Sequence, residues 1–458
     1  MPFPYIIGAS GATGIVEIEK SALFKQPSSQ TLSRTLGSAG NRRTFTISVW
    51  IYPNLALHAG SAYNPYIYGV DAASSNDHGI QINNEAIRFF NRTSGTFDVD
   101  LRTAGLVRDI GWLHIVAALD TTAGSNRAKL YINGTEASLA TNTQPSLNLD
   151  THYNNASQII GGQSGKYFDG YMAEFVMVEG SQLTPTSFGE LSDDGYWTPL
   201  ASSTVAALAS SGNSFALTNQ TNPQTNDGGG SAFTNNNSVS NNNLTPTNTH
   251  ALLNPLDNFT SGGTTALSNG NLTSTQSSSG TTYVSGTFLP KGVGKWVWEV
   301  TVTNVVDQFY IGLKNVVDRT VSQSAVTDDG YFYGNDGQKY IDGTASSYGA
   351  SYTDGDVIRV EWNAAGNSLE FFKNNASQGS ITPTAGVTWK TMFIHNDDTS
   401  AFTVNFGATD FAHTPTADFK ALTTTNLASD TSRTASDVTE YFEATLYEGT
   451  GSEQNVVS

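Results

Sequence analysis

The sequence predicts an all-β protein built from two antiparallel β-sandwiches in tandem. Only 14% of its residues are charged while 11% are aromatic, and 44 are glycine. Ser, Thr and Asn supply much of the remainder, a composition that favours strands and turns over helices. Short runs in which apolar and polar residues alternate fill about 20–200 and again about 264–425, the period-two pattern of half-buried strands. The tract between them, 201–263, has just two charged residues, Asp227 and Asp257. At 458 residues the chain also exceeds the roughly 100–200 residues of a single domain.

Along the chain, Gly8, Gly11 and Gly14 after Tyr5-Ile6-Ile7 imitate the glycine-rich turn of a dinucleotide site. That turn requires an amphipathic helix next, whereas Val16-Glu17-Ile18-Glu19 alternates with period two. Residues 1–20 are read as an attachment segment and 21–200 as the first sandwich. Within it, Phe45, Ile47, Val49 and Ile51 share one strand face and Thr46, Ser48, Trp50 and Tyr52 the other. The run from Trp112 to Leu119 is apolar on both faces, as a central strand would be. Asn133-Gly134 supplies the left-handed residues of a tight hairpin, and a long strand spans Phe168 to Val178. Thr184-Pro185 signals a short helical turn. The tract 201–263 lacks enough apolar surface to offset ordering entropy of roughly 1–2 kcal/mol per residue, so it is expected to be a polar linker. In the second sandwich, 264–425, Trp296, Trp298, Val300 and Val302 share a face, and Val357 to Trp362 and Leu369 to Lys373 flank a five-residue turn. The last stretch, 426–458, ends in what resembles the first strand of a further module.

Charge and composition exclude several function classes. A formal net charge of -18 leaves no basic field for phosphates, so no nucleic-acid partner is expected. The chain has no cysteine, which removes disulfides and thiolate metal sites. No stretch reaches the roughly 20 apolar residues of a membrane span, and the N-terminus lacks the features of a secretory signal. No membrane insertion and synthesis in a cytoplasm are expected.

A retaining glycosidase needs two carboxyl groups about 5–5.5 Å apart on one face. Asp98 and Asp100 have that spacing on a polar-faced strand, Asp354 and Asp356 straddle a turn glycine, and Glu370 has no acid two or four residues away. The solvated-face reading is favoured, and no catalytic residue is assigned. The seven histidines show no metal-ligand spacing, His114 reads as a satisfied core residue, and His395-Asn-Asp-Asp398 reads as a turn. No metal or cofactor is expected. The candidate ligand contacts are two aromatic segments, Tyr63, Tyr66 and Tyr68, and Tyr331, Tyr333, Asp336 and Tyr340. Flat rings beside amides and carboxylates suit a sugar, with core or subunit-contact positions as the alternative.

Two family resemblances attach to particular motifs. The run from Thr31 to Trp50, with Trp112-Leu-His-Ile-Val and Lys129-Leu-Tyr-Ile-Asn-Gly, resembles the laminin-G/concanavalin-A-like sandwich of bacteriophage tail and virion proteins. So do the closing segments Leu183-Thr-Pro-Thr-Ser-Phe-Gly-Glu-Leu191 and Tyr196-Trp-Thr-Pro199. Gly294-Lys-Trp-Val-Trp-Glu-Val300, Ile311-Gly-Leu313, Gly355-Asp-Val-Ile358, Leu369-Glu-Phe-Phe-Lys-Asn374 and Val404-Asn-Phe-Gly407 resemble a SPRY domain, another sandwich of concanavalin-A type. The resemblance implies two jelly-roll-type sandwiches in a virion structural protein: a tail fibre, head fibre or capsid-decorating component. Its partners would be other virion proteins, further copies of the chain in a trimer, and a host-surface glycan. A dedicated glycan-binding receptor-binding protein is the alternative, and a polysaccharide hydrolase the third.

Overall fold

The computed structural model describes residues 16–54, 64–72, 75–105, 111–154, 157–192, 197–218, 222–261, 264–278, 280–290, 294–316, 329–396 and 399–427. Strands dominate and assemble into two pairs of facing sheets. Sheet A runs, edge to edge, through Thr135–Glu136, Ala128–Ile132, Leu113–Asp120, Thr44–Pro53, Gly170–Glu179, Ser21–Phe24 and Ser240–Asn242, with Phe215–Leu217 also paired to Gly170–Glu179. Sheet B follows the order Leu139–Thr143, Thr96–Thr103, Ala86–Thr93, Asn76–Asn83, Tyr66–Ala72, Gln158–Ile160, Thr31–Arg34 and Thr234–Asn236. Phe45, Ile47, Val49 and Ile51 interdigitate with Ile80, Phe89, Leu101 and Phe175 between them, because alternation turns every second side chain inward. The Asn133-Gly134 hairpin has both residues left-handed, φ 47° and 80°, the geometry that matches strand twist.

The second sandwich pairs sheet C with sheet D. Sheet C comprises Leu253–Ser261, Thr281–Gly286, Trp389–Asn396, Gln308–Asn315, Gly330–Gly334, Gln338–Ile341 and Thr344–Ser347. Sheet D comprises Thr264–Ser268, Thr273–Ser278, Ala401–Asn405, Lys295–Asn304, Val357–Asn363, Ser368–Lys373 and Ala376–Ile381. Trp298, Val300 and Val302 meet Ile311, Phe371, Phe393 and Phe402 in its core.

The tract 201–263 departs from the expected linker. It forms a belt whose strands Phe215–Leu217, Thr234–Asn236 and Ser240–Asn242 extend both sheets of the first sandwich. Sparse but fully used apolar anchors explain this: Val205, Phe215, Ala216, Phe233, Val239 and Leu244 are all buried. The buried guanidinium of Arg34 ties the belt down. It lies against the edge-to-face pair Phe215 and Phe233, 5.1 Å from each centroid, and donates to Gln158 Oε1 and to the carbonyls of Asn213 and Ser214.

The belt then enters a joint between the sandwiches. Asn243 N–H donates to the Ala408 carbonyl and Ala251 N–H to Leu422. Leu23, Tyr52 and Tyr171 of the first sandwich share one apolar cluster with Leu252, Leu267 and Leu272. The turn Asn269-Gly270-Asn271, left-handed throughout, plugs into a socket where Tyr171 Oη donates to the Gly270 carbonyl over 3.0 Å. Asp169 sits below it, accepting from Gln26 N–H, Asn54 Nδ2 and the Gly270 amide. A Cβ on Gly270 would stand 2.4 Å from Tyr171 Oη, and φ there is 61°. Gly270→Ala is therefore expected to cost about 2–4 kcal/mol through strain and overpacking, read as a lowered urea midpoint; an unchanged midpoint would mean the plug is not seated.

Candidate functional site

Of the candidate ligand contacts, Tyr63 lies outside the described residues. Tyr66, Tyr68, Tyr331 and Tyr333 are not in loops at all: they sit within Tyr66–Ala72 and Gly330–Gly334 and are buried. Tyr68 stacks on Tyr153 with centroids 5.9 Å apart. Tyr331 Oη shares a 3.0 Å hydrogen bond with Thr384 Oγ1, and Tyr333 Oη donates to the Ala350 carbonyl. Burial pushes the Tyr333 phenol up to about 12 and Tyr66 and Tyr68 further still. Their rings fill the interior and have no open face for a sugar.

Asp336 and Tyr340 are different. The hairpin joining Gly330–Gly334 to Gln338–Ile341 needs a left-handed Gly337, φ 85°, and a bare Gly334, where a Cβ would approach Asp336 Oδ1 to 2.7 Å and the Tyr340 ring to 2.9 Å. This turn holds exposed Asp336 in a fixed pose. Its Oδ1 accepts from the Gln338 amide at 3.0 Å, and its Oδ2 from Gln338 Nε2 at 2.9 Å and Tyr340 Oη at 2.7 Å. Half-buried Tyr340 packs edge-on to Tyr310, 4.8 Å between centroids. The result is an oriented carboxylate, an amide and an aromatic edge at the surface of sheet C, suited to hydrogen-bonding a polar ligand rather than to proton transfer.

Asp98 and Asp100 lie on sheet B, where a register shift between Asn91 and Arg92 leaves Asp98 as the extra residue of a bulge and breaks the two-residue alternation between them. Arg88 grips Asp100 with both ends of its guanidinium, at 2.7 and 2.6 Å, and covers Phe97 at 4.1 Å. Asp98 receives Asn91 Nδ2 at 3.2 Å. Each acid thus has its own donor, and the two do not converge on a common opening. Arg92 pairs with Asp77 at 2.6 Å, and Tyr66 Oη also reaches Asp77.

Linear spacing missed one acidic group. On the outer face of sheet D, Glu361 lies directly across from Glu370, and Glu299 across from Arg359. Arg359 Nε is 3.0 Å from Glu361 Oε1 but misaligned for donation. Backbone amides of Ala412, His413 and Thr416 cap Glu299 and Glu361, so the two buried acids fasten the chain that passes over them. Cross-strand partners come from distant segments, which a search at two- and four-residue spacing cannot find.

Four histidines, His78, His114, His250 and His395, are interior. On sheet A, His114 stacks between Trp50 and Trp197. Trp197 Nε1 donates to its Nδ1 and its Nε2 meets Ser48 Oγ, both at 2.8 Å, which fixes the tautomer with the proton on Nε2. Burial takes His114 down to about 3 and His250 and His395 to about 4, and holds His78 far below its ordinary value. His395 belongs to the strand Trp389–Asn396, not to a turn; residues 397–398 lie outside the described residues. Among the described residues no group of three or more His, Asp or Glu is placed to hold a metal, and no helix is long and apolar enough to cross a membrane.

Comparison with known proteins adds the following. Residues 28–187 match a laminin-G family profile described as the concanavalin A-like lectin/glucanases superfamily. No curated protein sequence matches the chain. Among solved structures, the SPRY domain of human HERC1 is similar at 14% identity and TM-score 0.30, over 33% of this chain and 96% of that one. A second human SPRY domain gives 14% and 0.26, over 33% and 99%. A heptameric SAP-like pentraxin from Limulus polyphemus gives 11% and 0.31, over 50% and 96%. The sandwich assignment itself rests on the sheets described above. Residues 28–187, which match the laminin-G profile, lie in the first sandwich of an all-β chain of two.

Proposed function

We propose that the protein is a non-enzymatic structural and recognition component of a bacteriophage virion: a tail fibre, head fibre or capsid-decorating protein whose two sandwiches face outward. The observation that carries this reading is the interlocked joint, in which the plug at Gly270 and the belt hold the sandwiches at a fixed angle. A part that bears load or presents a surface needs such rigidity. An enzyme of this sandwich type instead needs a converging acid pair, whereas Asp98 and Asp100 have separate donors and sit on a strand whose alternation is broken between them. The tandem of laminin-G-like and SPRY-like motifs supports the viral assignment. Assembly as a trimer, contact with other virion proteins and residence in the particle belong to the same proposal.

The test is the particle. Virions made without this chain should lack a defined external feature in cryo-electron maps and lose assembly or adsorption. An unchanged map and unchanged infectivity would remove the structural role.

A second reading, direct glycan recognition, is favoured by the exposed, oriented Asp336 beside Tyr340. On that reading Asp336→Ala combined with Tyr340→Ala weakens binding of the purified chain to host polysaccharide at least tenfold. That is a loss of about 1.4 kcal/mol, with the fold intact by circular dichroism. Equal binding by the double variant would sink glycan contact at this hairpin, and reducing-end release that Asp100→Asn abolishes would establish the hydrolase.

A further inference from the structure

Glu174 is an unusual residue for a strand interior. It occupies the bulge of Gly170–Glu179 between Ala173 and Val176, with a left-handed backbone, φ 50°, that side chains of its kind seldom adopt. Its side chain is only 3% exposed. Ser202 Oγ, on the helix Ser202–Ala207 of the belt, donates to Oε1 at 2.8 Å, whereas Oε2 is buried with no hydrogen-bond partner.

Among the described residues no cation compensates it. Asp227, on the belt, acts on Glu174 as a like charge while its Oδ2 accepts from Thr218 N–H and Oγ1 at 3.1 and 2.9 Å. The strand Thr44–Pro53 brings Trp50 and Ser48 opposite Ala173 and Val176, with neutral His114 beyond them. Lys20 lines a small cavity with Ala173 and Thr218, but its amine is directed to Asn243 Oδ1. A carboxylate buried with one donor and no cation is costly, and the neutral acid far less so. Burial, reinforced by Asp227 and opposed by Ser202, accordingly takes this carboxyl up to about 8.

We propose that Glu174 is a proton-operated latch for the belt: protonated, it stays buried beneath the helix and holds the belt on sheet A; ionised, it requires water and repels Asp227, and the belt lifts. The sign follows from linkage. The closed state holds a proton that the open state releases above the ordinary glutamate range, so opening becomes easier as pH rises from about 4.5 to about 8 and levels off above. The inference is independent of the virion reading, because it concerns one chain in solution.

The experiment is hydrogen exchange read by mass spectrometry on the full chain, corrected for the intrinsic pH dependence of exchange. Between pH 5.5 and 7.5 the opening constant of peptides covering 202–218 and 222–230 is expected to rise roughly 50-fold, while peptides from Thr44–Pro53 stay protected. Glu174→Gln keeps the shape and cannot ionise; its belt should stay closed, changing less than about threefold over the same range. A flat wild-type profile overturns the latch whether or not the variant folds. A pH-dependent profile that survives in Glu174→Gln overturns it equally, by assigning the effect to another group.

Discussion

Replacing Arg34 by alanine is expected to destabilise the first sandwich by about 2–4 kcal/mol, from the loss of charge-assisted hydrogen bonds to buried oxygens together with the packing of the side chain. This side chain sits 6% exposed and satisfies three separate groups, the Gln158 side chain and the carbonyls of Asn213 and Ser214, while its guanidinium packs against two phenyl rings. Alanine leaves those oxygens without a donor and opens a void beside Phe215 and Phe233. Arg34→Lys should recover only part of the loss, because one ammonium cannot reproduce a planar fork that donates in three directions. Denaturant unfolding followed by tryptophan fluorescence measures the change. Early proteolysis at Phe215 and Phe233 should accompany it. A variant within 1 kcal/mol of the parent would show that the belt is held by its apolar anchors alone.

Acid should unfold the chain steeply. His78, His114, His250 and His395 are each depressed by burial in the folded state, so each contributes stability that is present above its unfolded value of 6.5 and is lost as pH falls towards the folded value. Glu174 and Asp169 work the other way, since burial raises both and the folded state keeps protons there that the unfolded chain releases. Four groups against two leaves a net uptake of about two to three protons on unfolding near pH 5.5, or on the order of 3–4 kcal/mol lost per pH unit between about 6 and 4.5. Urea midpoints at pH 7, 6 and 5 test this. Equal midpoints at pH 7 and 5 would mean that these imidazoles are reached by solvent.

The strands were legible because their residues alternate. Phe45, Ile47, Val49 and Ile51 announce a buried face, and Asn133-Gly134 announces a turn, without knowledge of any partner strand. The belt was not legible. Val205, Phe215, Phe233, Val239 and Leu244 are too widely spaced to form a periodic pattern, and their burial depends on surfaces supplied from far along the chain: Leu32 and Phe175 for Phe215, Phe233 and Val239, Val116 and Val176 for Val205, and the cluster at the joint for Leu244. Tyr66 with Tyr68 and Tyr331 with Tyr333 repeat every second residue, which is itself the signature of a strand; attention to their ring chemistry obscured it. The proximity of Asp336 to Tyr340 was legible because a hydrogen bond across four residues is a local event. The opposition of Glu361 to Glu370, and the joint, depend on pairing that separates contacting residues by many positions.

The way the belt is woven has a practical consequence for anyone recombining these modules. Cuts at 200/201 or 263/264, where the composition changes, would either strip three strands from the first sandwich and leave Arg34 facing solvent, or sever Leu253–Ser261 from the sheet it borders. A chimera that exchanges the distal half must therefore transplant the Gly270 plug together with a matching Tyr171 socket, so the two halves are inherited as one cassette.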